Sequence, residues 1–129
     1  MPEKANTPAQ LPVVLLVDDE PLLLDSLGQE LKDSCRLFTA SSAAEADLRL
    51  AARRYDVVVC DHMLPGEQGL DFLSRLSEMI PSTKRILITG YTSPEFISRS
   101  IAIAGLSACL VKPVRASEIA VAVRAALAS

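Results

Sequence analysis

The sequence predicts an α/β fold: a doubly wound parallel sheet of five strands with helices on both faces. Short apolar or β-branched segments recur along the chain, and each is followed by a segment with the hydrophobic period of a helix. The strand segments begin near Val13, Cys35, Tyr55, Lys84 and Ser107. Strands that alternate with helices form parallel sheets, and right-handed crossovers restrict how such a sheet is wound. We therefore expect a (βα)5 chain with the flavodoxin-like strand order 2-1-3-4-5.

The helices between these strands carry their own signals. The first, third and last have apolar stripes at helical spacing, which we expect to face the core. These stripes are Leu23, Leu24, Leu27 and Leu31, then Phe72, Leu73, Leu76 and Ile80, and finally Ile119, Ala122, Val123, Ala126 and Leu127. The capping-box pattern of Ser42 and Glu45 indicates the start of the second helix, and Ser93 followed by Pro94 indicates the start of the fourth. The fifth helix has no clear capping signal.

The length and composition of the chain suit a single domain. Its 129 residues are half hydrophobic, which is enough for one core. We predict a domain at residues 12–129 after a flexible N-terminal tail at residues 1–11. The first twelve residues hold three prolines and one lysine, unlike a signal peptide, and no segment approaches the ~18 uncharged apolar residues of a membrane span. We therefore expect a cytoplasmic protein without a membrane partner.

Charge and cysteine usage argue against two further classes of site. The chain has 13 basic and 16 acidic residues, a net charge of −3, and no basic run longer than two residues, so direct binding to nucleic acid is not expected. Cys35, Cys60 and Cys109 lie at strand-like positions without a CxxC or His-rich context. We interpret them as buried thiols of a reducing compartment rather than as zinc ligands.

Three acidic residues lie where two of the predicted strands end. Asp18 and Asp19 close the segment from Val13 to Val17, and Asp61 closes the segment from Tyr55 to Cys60. In the order 2-1-3-4-5 the winding reverses between strands 1 and 3, so their carboxyl ends open on one crevice. Like charges this close disfavour joint ionisation unless a cation is present, and oxygen ligands favour Mg²⁺. The sequence therefore predicts a magnesium site formed by these acids.

A hydroxyl and an ammonium group reach the same edge of the sheet. Thr89 closes the fourth strand (RILITG), and Lys112 closes the fifth (CLVKP). Together with Mg²⁺ they suit a phosphoryl group, because Lys112 can neutralise its oxygens, Thr89 can donate a hydrogen bond and a carboxylate can attack phosphorus. Asp61 is the best candidate nucleophile, since it is single and central.

With these residues in place, the chain resembles the receiver domain of two-component response regulators. The motifs that carry the resemblance are VDDEP at residues 17–21, Asp61 with LPG at 64–66, ITGYT at 88–92 and VKP at 111–113. The resemblance extends from about Pro12 to Leu127. Its specificity comes from the order, strand-end placement and spacing of the motifs together.

The resemblance implies a role for each acid. Asp61 would accept the phosphoryl group from the phosphohistidine of a sensor kinase. Asp19 and Asp61 would bind Mg²⁺ directly, and Asp18 would help through water. The backbone carbonyl of Met63 would be a further ligand of the metal.

The resemblance also implies how the signal leaves the site. Lys112, joined to Pro113 by a cis peptide, would pair with the phosphoryl oxygens, and Thr89 would move toward them after transfer. The chain would catalyse only its own phosphorylation and dephosphorylation, so it would not be an enzyme with a released product. Its output would be a change of shape at helix 4, strand 5 and helix 5, where similar domains also dimerise. Its partners would be a sensor histidine kinase or phosphotransfer protein and an output domain or downstream protein.

Two departures from the family pattern stand close to the site. The family usually has Tyr or Phe three residues before the lysine, where the ring swings inward as the threonine moves, but this chain has Cys109. Tyr91 is a candidate substitute for that ring. Met63 and Tyr91 occupy places that in this family flank the approach of hydrolytic water, so their bulk should slow loss of the phosphoryl group.

Other interpretations of the same residues remain open. A pseudo-receiver would keep the fold and signal through binding alone, an aspartate-nucleophile phosphatase would turn over a phosphate ester, and a flavodoxin would bind flavin. The three acids could also form a structural network without metal. His62, the only histidine, is interpreted as incidental, and Gly66 and Gly69 as residues of backbone turns.

Overall fold

The protein alternates five β-strands with five α-helices, as seen in a computed structural model that describes residues 11–129. The elements are β1 Val13–Val17, α1 Pro21–Leu31, β2 Arg36–Ala40, α2 Ala43–Ala52, β3 Val57–Asp61, α3 Gly69–Met79, β4 Lys84–Thr89, α4 Pro94–Ala104, β5 Ala108–Val111 and α5 Ala116–Ala128. The predicted tail at residues 1–11 lies, except for Leu11, outside the described residues. Its flexibility therefore stays a prediction, as does the domain boundary at residue 12.

The sheet has the order β2-β1-β3-β4-β5, and all of its neighbouring strands are parallel. The predicted fold class and strand order are therefore confirmed. Val17 pairs with Cys60, and Asp61 pairs with Ile88 one residue before β4 ends. This register brings the carboxyl ends of β1, β3 and β4 to one edge, as expected where the winding reverses.

Two apolar layers cover the sheet because side chains of a strand alternate between its faces. Leu15 and Val17 of β1 pack in the layer that contains Phe72, while Val14 and Leu16 pack in the layer that contains Ile119. Helices α2, α3 and α4 contribute to the first layer, and α1 and α5 contribute to the second. Each large side chain buried in this way stabilises the fold by about 1.5–3 kcal/mol relative to an exposed one.

The predicted helical stripes face these layers, with one exception. Leu27 and Leu31 of α1, Phe72, Leu73 and Leu76 of α3, and Ile119, Val123 and Ala126 of α5 are buried. Leu127 was predicted to face the core but is 41% exposed. At about 100° per residue it lies some 80° around the helix from Ile119, at the margin of the apolar stripe. The face of α5 that contacts the sheet is too narrow to bury Leu127 together with Ile119, Val123 and Ala126.

The helix caps agree in part with the sequence signals. Ser42 Oγ accepts a hydrogen bond from the Glu45 N–H (3.1 Å), as predicted, but Glu45 accepts from the N–H and hydroxyl of Ser41 instead of completing the box with Ser42. The carboxylate shifts by one residue because the Ser41 side chain offers it a second donor. In α4, Ser93 Oγ accepts from the Phe96 N–H, as expected of an N-cap. No helix in the described part of the chain is long and apolar enough to cross a bilayer.

The three cysteines are free thiols with different exposure. Cys35 and Cys60 are buried, as predicted, and burial raises the pKa of the Cys35 thiol to about 11. Cys109 is only partly buried, so its predicted full burial is wrong. It lies on β5, an edge strand whose four residues are all partly exposed, and no further strand covers that edge among the described residues.

Candidate functional site

The ends of β1 and β3 bring three carboxylates together. Asp61 is the last residue of β3, and Asp18 directly follows β1, where its N–H donates to the Ala40 carbonyl of β2 (3.0 Å). One carboxylate oxygen from each of Asp18, Asp19 and Asp61 lies within 4.8 Å of the others. Asp18 and Asp61 are buried, whereas Asp19 is exposed. The sequence prediction that these three acids meet is therefore confirmed.

The electrostatics of Asp18 reflect this crowding. Burial raises the pKa of its carboxyl, and the neighbouring charge of Asp61 raises it further. A hydrogen bond from the Glu20 N–H (2.9 Å) and the charge of Lys112 act in the opposite direction but do not cancel the effect. The ionised form of Asp18 is therefore disfavoured at this site, and an added positive charge would stabilise it.

Lys112 is the cation of the site. Its Nζ lies 2.7 Å from Asp61 Oδ1, and its backbone N–H donates to the Thr89 carbonyl (2.8 Å), which aligns the ends of β4 and β5. Burial disfavours the ammonium form, but the hydrogen bond to Asp61 and the nearby acidic charges outweigh burial, so the pKa of Lys112 is raised. The predicted cis peptide between Lys112 and Pro113 is present.

Thr89 is buried at the end of β4, beside the acids along the same edge. Its Oγ1 accepts a hydrogen bond from the Tyr91 N–H (3.0 Å), and within residues 11–129 its hydroxyl has no hydrogen bond to Asp61. The Thr89 hydroxyl therefore holds the start of the β4–α4 loop through its hydrogen bond to the Tyr91 backbone. Met63, whose carbonyl was predicted to bind metal, lies in the β3–α3 loop with its side chain 55% exposed.

Gly69 holds the β3–α3 loop against the end of β3. Its N–H donates to the His62 carbonyl (2.8 Å), and a Cβ at this position would overlap the backbone carbonyl of Asp61. The prediction that Gly69 serves a turn is therefore wrong in its reason, because the requirement is the close approach of two backbones. Gly66, with φ of 76°, does occupy the left-handed conformation that a glycine turn provides.

A cluster of three rings that the sequence did not predict is formed by His62, which directly follows Asp61, together with Tyr91 and Phe96. The ring centroids are 5.6 Å apart for His62 and Tyr91, 5.3 Å for His62 and Phe96, and 5.0 Å for Tyr91 and Phe96. All three pairs meet edge to face, a favourable geometry for aromatic rings. Burial lowers the pKa of His62 against the opposing charges of Asp61 and Asp71. The available signal was the low aromatic content of the chain, which makes Phe96, three residues after the N-cap Ser93 of α4, one of only five aromatic residues of the Phe and Tyr types.

The donor set fits a hard divalent cation. It consists of carboxylate oxygens, two of the three residues are buried, and one ammonium group faces three acidic groups. Oxygen ligands of this kind suit Mg²⁺ or Ca²⁺ rather than metals that prefer sulfur or nitrogen. A cation at this position would offset the burial and the repulsion from Asp61 that together raise the pKa of Asp18.

Comparisons with known proteins agree on one family. The sequence profile of the response regulator receiver domain matches residues 14–124. The hydrogenase transcriptional regulatory protein HoxA of Cupriavidus necator is 39% identical over 100 residues, which are 78% of this chain and 21% of that protein. The DNA-binding transcriptional activator DevR/DosR of Mycobacterium tuberculosis is 36% identical over 115 residues, 86% of this chain and 52% of that protein. The chain thus spans between a fifth and a half of these relatives.

A solved structure gives the same result. The signal receiver domain of an HD domain-containing protein from Pseudomonas fluorescens Pf-5 superposes with a TM-score of 0.83 at 34% sequence identity. The superposition covers 92% of this chain and 95% of the other.

Proposed function

Since the chain belongs to the response regulator receiver domain family, we propose that Asp61 is the residue that receives the phosphoryl group. The observation that carries this proposal is the position of the Asp61 carboxylate. It is buried at the end of a central strand, lies 2.7 Å from the Lys112 ammonium and has two further carboxylates beside it. Of the three acids, only Asp61 has both burial and this contact with a cation.

In the proposed reaction a carboxylate oxygen of Asp61 attacks phosphorus and forms an acyl phosphate. The bond between phosphorus and the donor breaks at the same time, and the donor keeps the bonding electron pair. When the donor is the phosphohistidine of a sensor kinase, the released imidazole nitrogen takes up a proton. Positioning and charge neutralisation account for most of the catalysis of such a transfer.

Other residues of the site would support this step. Lys112 neutralises the oxygens of the arriving group, and Thr89 turns its hydroxyl toward them after transfer. Asp18, Asp19, Asp61 and the Met63 carbonyl would hold Mg²⁺, with Asp18 acting through water. When bound, Mg²⁺ supplies positive charge that the phosphoryl oxygens and the acids share.

We also propose partners and a cellular location for this domain. HoxA and DevR/DosR are transcriptional regulators by name, so we expect this domain to receive a phosphoryl group from a sensor kinase or phosphotransfer protein and to control an output domain or downstream protein. Helix α4, strand β5 and helix α5 would form the responding face and, after phosphorylation, a dimer contact. We expect no direct contact with nucleic acid by this domain, no turnover of an external substrate and a location in the cytoplasm.

The test is the intact mass of the protein after incubation with Mg²⁺ and acetyl phosphate. Wild type should gain one phosphoryl group, and Asp61→Asn should gain none. Asp33→Asn is the matched control, because it removes an exposed carboxylate in the turn after α1, away from the site. This control should be phosphorylated like wild type.

The outcomes separate the alternatives. If wild type gains no phosphoryl group in the presence of Mg²⁺, the proposal fails and a pseudo-receiver becomes the better interpretation. If Asp61→Asn gains the group as wild type does, another residue is the acceptor. Continuous release of phosphate from a small ester, lost in Asp61→Asn, would identify a phosphatase instead.

A further inference from the structure

The ring cluster of His62, Tyr91 and Phe96 connects three parts of the fold that lie next to the proposed phosphoacceptor. His62 follows the proposed phosphoacceptor and is fixed to β4 by its N–H, which donates to the Ile88 carbonyl (2.8 Å). Tyr91 lies in the β4–α4 loop, and Phe96 lies in the first turn of α4. Each ring contacts the other two. The cluster therefore joins the end of β3, the β4–α4 loop and α4.

Thr89 is linked directly to this cluster. Its Oγ1 accepts a hydrogen bond from the Tyr91 N–H (3.0 Å). When Thr89 turns about χ1 and carries Oγ1 toward a phosphoryl group on Asp61, the acceptor of this bond moves with it and the contact with the Tyr91 N–H lengthens. Because the Tyr91 ring packs against both His62 and Phe96, a change in the Tyr91 backbone reaches α4 through ring contacts.

The two ends of α4 are held in different ways. At its C-terminal end the buried Arg85 donates to the carbonyls of Ala104 (2.9 Å) and Gly105 (3.1 Å), and its Nη1 donates to Thr83 (2.6 Å). At its N-terminal end Phe96 is only partly buried, and Tyr91 is 50% exposed. The C-terminal end is thus fixed to β4 by two hydrogen bonds from Arg85, whereas the N-terminal end is held by contacts between partly exposed rings.

Cys109 lies on β5, the strand that pairs with the end of β4, three residues before Lys112. Its side chain is partly buried and packs against the same apolar layer as Phe96. A thiol has neither the size nor the planar shape of a ring, so it cannot transmit a displacement by filling the space that a moving threonine leaves. Among the described residues, the ring cluster is the aromatic group in contact with the Thr89 loop.

We infer that Tyr91 and Phe96, packed on His62, act as positioning residues that couple the Thr89 hydroxyl to the first turn of α4, with Arg85 holding the opposite end of the helix. This inference rests on the proposed function of Asp61. Loss of the Tyr91 N–H contact when Thr89 turns displaces Tyr91, Phe96 follows, and α4 pivots about its C-terminal end. The signal therefore leaves through the N-terminal turn of α4.

The test uses backbone amide chemical shifts of the whole chain before and after addition of Mg²⁺ and beryllium trifluoride, an inorganic phosphoryl mimic. In wild type the amides of residues 95–98 should shift strongly and those of residues 102–105 little. In Phe96→Leu the shifts at residues 95–98 should fall to less than roughly half, as expected when a coupling contact is lost. Phe96→Tyr, which keeps the ring, should restore them. The ring protons of His62, the only histidine, give a second resolved signal.

A matched control removes a ring from a different pair. Phe38 on β2 meets Tyr55 edge to face at 5.7 Å and does not belong to the cluster. Phe38→Leu should therefore leave the α4 shifts unchanged. If Phe96→Leu does not fold, Tyr91→Leu carries the same test, because half of the Tyr91 side chain is already exposed.

The outcomes distinguish this inference from the proposed function. Intact mass after acetyl phosphate treatment should show the phosphoryl adduct in Phe96→Leu as in wild type. An adduct together with unreduced shifts at residues 95–98 in Phe96→Leu would overturn the coupling and leave Asp61 as acceptor. Equal shifts at both ends of α4 in wild type would overturn the pivot. No adduct in wild type would overturn both proposals.

Discussion

Asp18 and Asp19 show how neighbouring residues acquire different properties at one site. Successive side chains leave a strand end in opposite directions, so Asp18 is buried while Asp19 is exposed. The exposed carboxylate keeps its hydration and can move to a ligand, whereas the buried one has lost water and its pKa is raised. At the scale of single residues, burial rather than residue type therefore distinguishes Asp18 from Asp19.

Met63 and Tyr91 provide a prediction at the same scale. Their side chains are 55% and 50% exposed, and each lies two residues after a residue of the site, Asp61 or Thr89. We expect them to hinder a water molecule that approaches the phosphoryl group. We expect Met63→Asn and Tyr91→Glu each to speed loss of the phosphoryl group from Asp61 about tenfold, which corresponds to about 1.4 kcal/mol of barrier. The measurement is the decay of the phosphorylated mass after removal of the phosphodonor.

The control for this prediction is Met79→Asn at the end of α3, where the methionine is 65% exposed. Its decay rate should equal that of wild type. Rapid decay in wild type that neither variant at residues 63 and 91 changes would contradict the shielding role.

At the scale of the elements, the loop between β3 and α3 is defined by a contact between two backbones. Gly69 begins α3 against the carbonyl of Asp61, and its N–H bonds to His62. Within α3, Arg75 forms ion pairs with Glu67 of this loop (2.7 Å) and with Asp47 of α2 (3.1 Å). The loop that carries Met63 is therefore fixed at its end by packing and on its flank by charge.

We expect opposite effects on stability from two glycine substitutions, one at the end of this loop and one in α1. Gly69→Ala should destabilise the protein by about 3 kcal/mol, because the added methyl group forces the loop from the end of β3. It should also slow phosphorylation at least tenfold, since displacement by about 1 Å can cost a hundredfold in rate. Gly28→Ala in α1 should stabilise by about 0.5–1 kcal/mol, because the nearest atom, Leu37 Cδ2, lies 3.9 Å from the added carbon.

Urea unfolding of both variants, together with the rate of phosphorylation by acetyl phosphate, checks this pair. A stable Gly69→Ala that is phosphorylated at the rate of wild type would show that the loop can move aside at little cost. Phosphorylation of Gly28→Ala should not change in either case, because α1 keeps its position.

At the scale of the whole molecule, the acid cluster links cation binding to stability. Three carboxylates held within 4.8 Å oppose folding when no divalent cation is bound, and a ligand that binds only the folded state stabilises it. We expect Mg²⁺ at a hundred times its dissociation constant to raise the free energy of unfolding by about 2.7 kcal/mol. In a chelator, Asp18→Asn should be more stable than wild type by about 1 kcal/mol, the usual scale of single substitutions, but should gain less from Mg²⁺.

The pH dependence of this difference has a definite sign. Because burial raises the pKa of Asp18 above its ordinary value of 3.8, the folded chain holds this proton more tightly than the unfolded chain. The stability that Asp18 contributes is therefore present below pH 3.8 and is lost as the pH rises through the folded pKa. The advantage of Asp18→Asn in chelator should be full at neutral pH and disappear toward pH 3.8. Urea titrations of wild type and Asp18→Asn at both pH values check this.

The sequence determined the features that depend on local periodicity and on general rules of winding. Strand and helix alternation fixed the order β2-β1-β3-β4-β5, and strand-end positions placed Asp18 and Asp61 at one crevice with Lys112. These predictions succeed because apolar periods and right-handed crossovers hold for any chain of this class.

Only the tertiary structure decided which side chains and backbones meet across the fold. The approach of Gly69 to the Asp61 carbonyl, the ring cluster around Tyr91 and the clamp of Arg85 on the end of α4 each join residues from different elements. The exposure of Leu127 likewise depends on how far the sheet extends beneath α5. None of these leaves a periodic signal in the sequence, because the distance between two packed surfaces is set by all of the side chains between them.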